Sequence, residues 1–332
     1  VVEDMVGSDY MRPNYVLKAG SETFTPDTAD GLISIDVKLS MGLPIDGVEA
    51  VLVGAKELSF SSTDPVEVQL GYDDNLFQIF SGFVADLKRE TSDVRLTALS
   101  WSATLLHLRI NRVYLNQEAG QIVRDLAGQA GFDMKECEGG IVFPMYAIDD
   151  GRNVYEHILK LAERCNFDVY VAEDRKLVFK EYKVDKVHSL EYGENIIRVE
   201  GVEKPTYGKV TVYGEGGSFK GAETFHWLTK DEVKGEAGDL SPETVPFIIR
   251  DPAIRNREDA QNVADAETKG LGEDSYALFV EVVGDPEVKL GETVETSGFD
   301  DSWLNDKWKI RGVRHYLSKT KGFTTTIKCN WV

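Results

Sequence analysis

The chain has 332 residues, a formal net charge of −20, 42% hydrophobic and 28% charged residues, 30 Gly and only 10 Pro. That length exceeds what one core usually serves, so two or three compact units are expected, and the composition excludes a disordered or fibrous chain. The negative charge is spread along the whole sequence without a basic cluster, which excludes a surface built to grip a nucleic-acid backbone.

From Tyr15 to Leu99 the sequence runs in short alternating stretches broken by turn signals. Ile33 to Leu39 and Val66 to Tyr72 alternate apolar with polar, as half-buried strands do. Asp73-Asp74-Asn75 supplies turn residues, and Leu76 to Leu87 and Val94 to Leu99 read as further strands. With no convincing helix between them, these strands predict a first β-barrel domain over residues 1–116.

Residues 117–190 have a different character. Ala119, Ile122, Val123, Leu126, Ala127 and Ala130 form one apolar stripe at helical spacing, stopped by Gly131. Asn153, with Glu156 three residues on, predicts a capped second helix burying Val154, Ile158, Leu161, Ala162 and Cys165. Phe167 to Val171 and Lys176 to Phe179 then predict a hairpin turning at Asp174, so this stretch reads as a small α+β domain.

Strands return at Ile196 to Val202 and Gly208 to Tyr213. Residues 214–251, rich in Gly and acidic groups, read as a long, poorly ordered loop with Phe219, Phe225, Trp227 and Leu228 as its few apolar anchors. A helix from Asn256 to Lys269 leads into strands at Tyr276 to Val283, Thr293 to Ser297, Trp308 to Tyr316 and Phe323 to Cys329. Residues 191–332 are therefore expected to form a second β-barrel domain. The stretch from Ile79 to Leu99, with Gly82, echoes that from Trp308 to Cys329, with Gly312, as though the two β domains shared one fold.

No pattern of catalysis or metal binding stands out. His107, His157, His188, His226 and His315 are scattered, with no second ligand at metal spacing, so packed or surface imidazoles are the better reading. Gly214 to Gly221 lacks the Gly-Lys-Ser/Thr ending of a phosphate loop. Asp73-Asp74, Asp149-Asp150 and Asp300-Asp301 lack a calcium-loop frame. Trp101, Trp303, Trp308 and Trp331 read as core and interface packing. Cys137, Cys165 and Cys329 have no disulfide or zinc spacing and read as reduced core thiols of a chain made in a cytosol. No apolar run is long enough for a membrane helix, and the start, Val1-Val2-Glu3-Asp4, does not resemble a signal peptide. Catalytic, cofactor-binding and metal residues are accordingly expected to be none.

Four ordered pieces resemble the phage late control D family, the baseplate hubs of contractile-type tails, related to the hub region of type VI secretion spike proteins. They are Val66 to Gly82 (followed by Leu96 to Ser102), Asn153 to Phe179, Gly284 to Val294, and Lys309 to Ile327. Asn153 to Phe179, with its Leu-Ala-Glu-Arg helix running into a Lys-Leu-Val-Phe strand, is the most specific. The resemblance implies a mainly β fold with two tail-tube-like β-barrel domains separated by a small α+β domain. It further implies a non-enzymatic homotrimer joining a six-fold tail tube to a three-fold spike, with baseplate wedge components as neighbours and cargo passing through the lumen. Such a protein would be made in a host cytoplasm and assembled into a virion tail or phage-like injection particle. Ending at Val332, the chain would need a separate spike protein. A hub-associated peptidoglycan hydrolase and a carbohydrate-binding β protein are the alternative readings.

Overall fold

The computed structural model describes residues 11–28, 31–42, 46–53, 59–205, 207–215, 232–241 and 244–332. The protein is mainly β. Its first part is all strand: β1 (Pro13–Ala19), β2 (Glu22–Phe24), β3 (Gly31–Ser40), β4 (Gly47–Val53), β5 (Pro65–Tyr72), β6 (Asn75–Arg89) and β7 (Asp93–Ser100). Alternation sorts the side chains as expected: Val66, Val68 and Leu70 are fully buried, while Glu67 and Gln69 between them are not. They pack with Leu17, Ile35, Leu52 and Leu96 in one core. Asp73 adopts a left-handed φ of 49° in the turn between β5 and β6, a conformation that Asp tolerates better than most residues.

The next elements are α1 (Ala103–His107), β8 (Arg112–Glu118), α2 (Ala119–Gln129), β9 (Met134–Cys137), β10 (Val142–Ile148), α3 (Val154–Cys165), β11 (Phe167–Val171) and β12 (Leu177–Glu181). Asn153 caps α3 by accepting from the Glu156 backbone N–H at 2.9 Å, satisfying one of the donors a helix start leaves open. The second core gathers Ile122, Leu126, Ile158, Leu161 and Phe179. It also takes in Leu105 and Tyr114, so it begins ahead of residue 117, because β8 pairs with β10.

The remaining elements are β13 (Val187–Glu191), β14 (Ile196–Glu203), β15 (Tyr207–Tyr213), β16 (Lys234–Gly238), β17 (Val245–Arg250), α4 (Arg257–Glu273), β18 (Tyr276–Val283), β19 (Thr293–Ser297), β20 (Lys307–Ser318) and β21 (Gly322–Trp331). The 214–251 loop reading needs correction. β16 pairs antiparallel and β17 parallel with β15, and α4 covers this small sheet over Val210, Val212, Val233, Ile254 and Val263. The strands were hidden because a parallel partner needs no adjacent turn, and acidic and Gly residues sit between and beside them. Residues 216–231, with Phe219, Phe225, Trp227, Leu228 and His226, lie outside the described residues.

Thirteen strands form one continuous sheet, ordered β14-β18-β21-β20-β3-β4-β7-β6-β5-β1-β2, with β19 bridging β20 and β13. Within it, β3-β4-β7-β6-β5 and β14-β18-β21-β20-β19 are the same five-strand arrangement. Both follow the same chain order, and every neighbouring pair within them is antiparallel. The echo between the Gly82 and Gly312 strands thus extends to whole units. No strand pairing among the described residues closes either unit into a separate barrel. Instead the units share one sheet through the contact of β3 with β20.

Candidate assembly surface

The joint between the units is built from β3 and the second half of β20, paired from Gly312 opposite Ser40 to Ser318 opposite Ser34. β19 leaves room for it by reaching β20 only at Lys307 to Lys309. Across the joint, Arg314 donates Nε and Nη2 to the two carboxylate oxygens of Asp36 at 2.7 and 2.9 Å. This two-pronged geometry fixes register as well as charge. Leu317 and Phe323 from the second unit complete the core of the first. Tyr72 donates its hydroxyl to the Gly284 carbonyl at 2.9 Å and packs on Phe323 with ring centroids 5.7 Å apart.

A second set of contacts ties the α+β part to the sheet. Lys309 Nζ lies 2.9 Å from both Asp168 Oδ1 and Glu273 Oε2, with all three side chains buried. Arg164, buried over the rings of Phe143 and Tyr146, pairs with buried Asp251. The first cluster ties β11 and α4 to β20, and the second ties α3 to the residue that follows β17, since a buried charge is tolerated only beside its partner.

Several strands have a partner on one side only among the described residues, and two of these edges lie where the internal repeat corresponds to the β3 and β20 joint. β14 pairs with β18 alone, leaving its other edge open. Beside it, Trp303 lies across Gly201, and Tyr276 stacks near Trp303 and Trp331 at 5.7 and 5.8 Å. Ile197, Tyr192, Trp303 and Trp331 keep 56%, 57%, 39% and 40% of their surface exposed, an unusual apolar showing for one sheet margin. The second edge is the end of β6. β5 accompanies it to Phe83, and Thr63 and Asp64 bond the backbone of Val84, after which residues 85–89 have β7 on one side only.

The other residues singled out by sequence fall apart in space. His107 ends α1, and His157 is buried with Nε2 3.4 Å from the Asp149 carbonyl. His188 Nε2 is 2.7 Å from Glu292 Oε2. His315 is fully buried, Nδ1 3.0 Å from Thr325 Oγ1, and burial pushes its pKa down to about 4. No group of three His, Cys, Asp or Glu side chains suited to a metal occurs among the described residues. Cys329 is buried and Cys137 and Cys165 partly so, all three as free thiols whose pKa burial pushes up. Trp308 is buried, donating Nε1 to Thr296 Oγ1 at 2.9 Å, and Trp101 lies under the Arg175 guanidinium. Core packing describes both, whereas Trp303 and Trp331 border the open edge. Sequence reading named those two tryptophans but not the edges. The Gly82 and Gly312 echo was the signal that could have found them, because it marks which strand of each unit receives a neighbour. Among the described residues, no helix is long and apolar enough to cross a membrane.

No protein-family model matches the chain, and no curated protein matches it. Solved structures do. The 43 kDa tail protein of prophage MuSo2 from Shewanella oneidensis matches with a TM-score of 0.74 at 17% identity, covering 96% of this chain and 98% of that one. A tail protein from Neisseria meningitidis MC58 matches with a TM-score of 0.72 at 14% identity, covering 96% of each chain. The E. coli c3393 protein, described as a type VI secretion component similar to the T4 tail proteins gp27 and gp5, matches with a TM-score of 0.58 at 11% identity. It is covered over 76% of its length by 94% of this chain. The duplicated five-strand unit, the α+β part between its copies and the near-complete mutual coverage together give this chain the fold of phage tail proteins and of the hub proteins related to them.

Proposed function

We propose that this chain is a structural, non-catalytic baseplate hub of a phage or phage-like injection tail, working as a homotrimeric ring between tail tube and spike. The observation that carries the reading is the duplication: each chain presents two five-strand units in the same chain order, joined edge to edge. Three chains then offer six equivalent units, which matches a six-fold tube on one side and a three-fold spike on the other. Likeness to tail proteins over nearly the whole chain supports it. A separate spike protein, the tube protein and baseplate wedge components are the partners this role requires.

The net charge of −20 per chain acts against assembly, so apolar and strand contacts must outweigh repulsion, and salt should tighten the ring. Native mass measurement and light scattering at low and high ionic strength test the reading. A species of three chains, favoured at high salt or with the spike partner present, is expected. A strict monomer or a two-fold dimer under all these conditions overturns it. A cell-wall digestion assay tests the absence of catalysis, and turnover lost on changing one carboxylate would make the protein a hydrolase.

A further inference from the structure

We infer that the buried cluster of Lys309, Asp168 and Glu273 is a self-linking site, in which the Lys309 amine condenses with the Asp168 carboxyl to form an isopeptide bond while Glu273 relays the proton. The event happens once within each chain and involves no turnover. It stands apart from the hub reading, so either can fail without the other.

The reacting side chains are already assembled. Lys309 Nζ lies 2.9 Å from both Asp168 Oδ1 and Glu273 Oε2, and the three side chains keep only 3%, 3% and 9% of their surface exposed. The carbon to be attacked is bonded to Oδ1, so a small rotation of the carboxylate brings it to the separation of about 3–3.5 Å at which reacting atoms meet. Tyr182 shields the site, its ring centroid 5.0 Å from Nζ and its hydroxyl 2.7 Å from Thr293 Oγ1. Lys309 and Asp168 stand on strands β20 and β11, while Glu273 reaches in from the end of α4.

Asp168 is the acyl partner because its Oδ1 also faces Arg311 Nη1 at 3.6 Å, a cation placed where negative charge develops during attack. Glu273 accepts from the Asn166 amide through Oε1 at 3.2 Å, which leaves Oε2 to take a proton from the nitrogen. The protons balance within the cluster. Glu273 passes one ammonium proton to Asp168 Oδ2, and the freed amine attacks Cγ. It then passes a second to the same oxygen, the Cγ–Oδ2 bond breaks and water leaves. The third proton stays on the new amide nitrogen.

Two effects drive the step. Converting a buried ammonium and carboxylate into one neutral amide removes the cost of keeping both charges out of water. Holding the groups in contact gives the amine an effective concentration of about 10⁵–10⁸ M. The bond fastens the second unit to the α+β part and encloses everything from β12 to β19 in one covalent loop, which restricts the unfolded chain as any cross-link does.

The intact mass of the purified, denatured full chain tests this, and that measurement requires no variant to fold. The expected mass is one water below what the sequence requires, with a proteolytic map containing one branched peptide that joins the Lys309 and Asp168 segments. Lys309→Arg and Asp168→Ala should each show the full mass, and Glu273→Gln, checked as folded by circular dichroism, should be mostly unlinked at purification. A parent chain at its full sequence mass overturns the inference. So does a missing water without the branched peptide, or a branch from Lys309 to Glu273. Glu273→Gln linked as completely as the parent would remove Glu273 from the reaction.

Discussion

The Lys309 ammonium meets the Asp168 carboxylate in the interior, Nζ to Oδ1 at 2.9 Å, with each side chain only 3% exposed. Glu273 Oε2 closes the cluster at the same distance. Three parts of the chain thus depend on one cation: β20 carries the lysine, β11 the aspartate and the end of α4 the glutamate. Lys309→Met leaves two carboxylates buried without their shared cation, Asp168 with Arg311 at 3.6 Å and Glu273 accepting from the Asn166 amide at 3.2 Å. Losing one member of a buried ion cluster costs about 3–5 kcal/mol. The urea midpoint should fall accordingly. Adding Asp168→Asn and Glu273→Gln should recover part of the loss, because the uncompensated charge is then gone.

His315 makes stability depend on pH. Its folded pKa of about 4 lies below the ordinary value of 6.5, because burial disfavours the charged ring. The unfolded chain therefore binds the proton first, so the histidine's contribution is intact above pH 6.5 and is lost as pH falls toward 4. The full loss is about 3 kcal/mol at 1.36 kcal/mol per pKa step. Buried Asp46, raised to about 7, acts in the opposite sense: its protonated form suits the fold, and its contribution fades as pH rises toward 7. Comparing the parent with His315→Leu cancels the aspartate. The variant's denaturation midpoint should fall less than the parent's between pH 7 and pH 4.5.

The two echoing glycines should respond differently to the same change. A Cβ on Gly82 would sit 2.1 Å from the Leu99 carbonyl oxygen and 2.7 Å from the Phe80 ring, whereas on Gly312 the nearest atom is Lys328 Cβ at 3.4 Å. Overpacking of this kind typically costs about 1–3 kcal/mol, so Gly82→Ala should lower the thermal midpoint. Gly312→Ala should stay within about 0.5 kcal/mol of the parent, as a substitution without a clash does. Thermal unfolding followed by circular dichroism distinguishes them.

Much of the secondary structure was legible because its causes are local. Alternation over Val66 to Tyr72, the apolar stripe of α2 and the Asn153 cap each operate within a few residues, so the sequence by itself determined β3, β5, β6 and β7 of the first unit, the five strands of the second and helices α2, α3 and α4, but not β4. It also carried the Gly82 and Gly312 echo. Tertiary structure alone decided how the pieces meet. The β3 and β20 joint, held by Arg314 and Asp36, unites residues 278 apart, and no periodicity encodes a partner at that distance. The same holds for β17, whose parallel alignment with β15 turned part of an expected loop into sheet. It holds too for the open edges of β14 and β6, since an edge is defined by the strand missing beside it rather than by the residues within it.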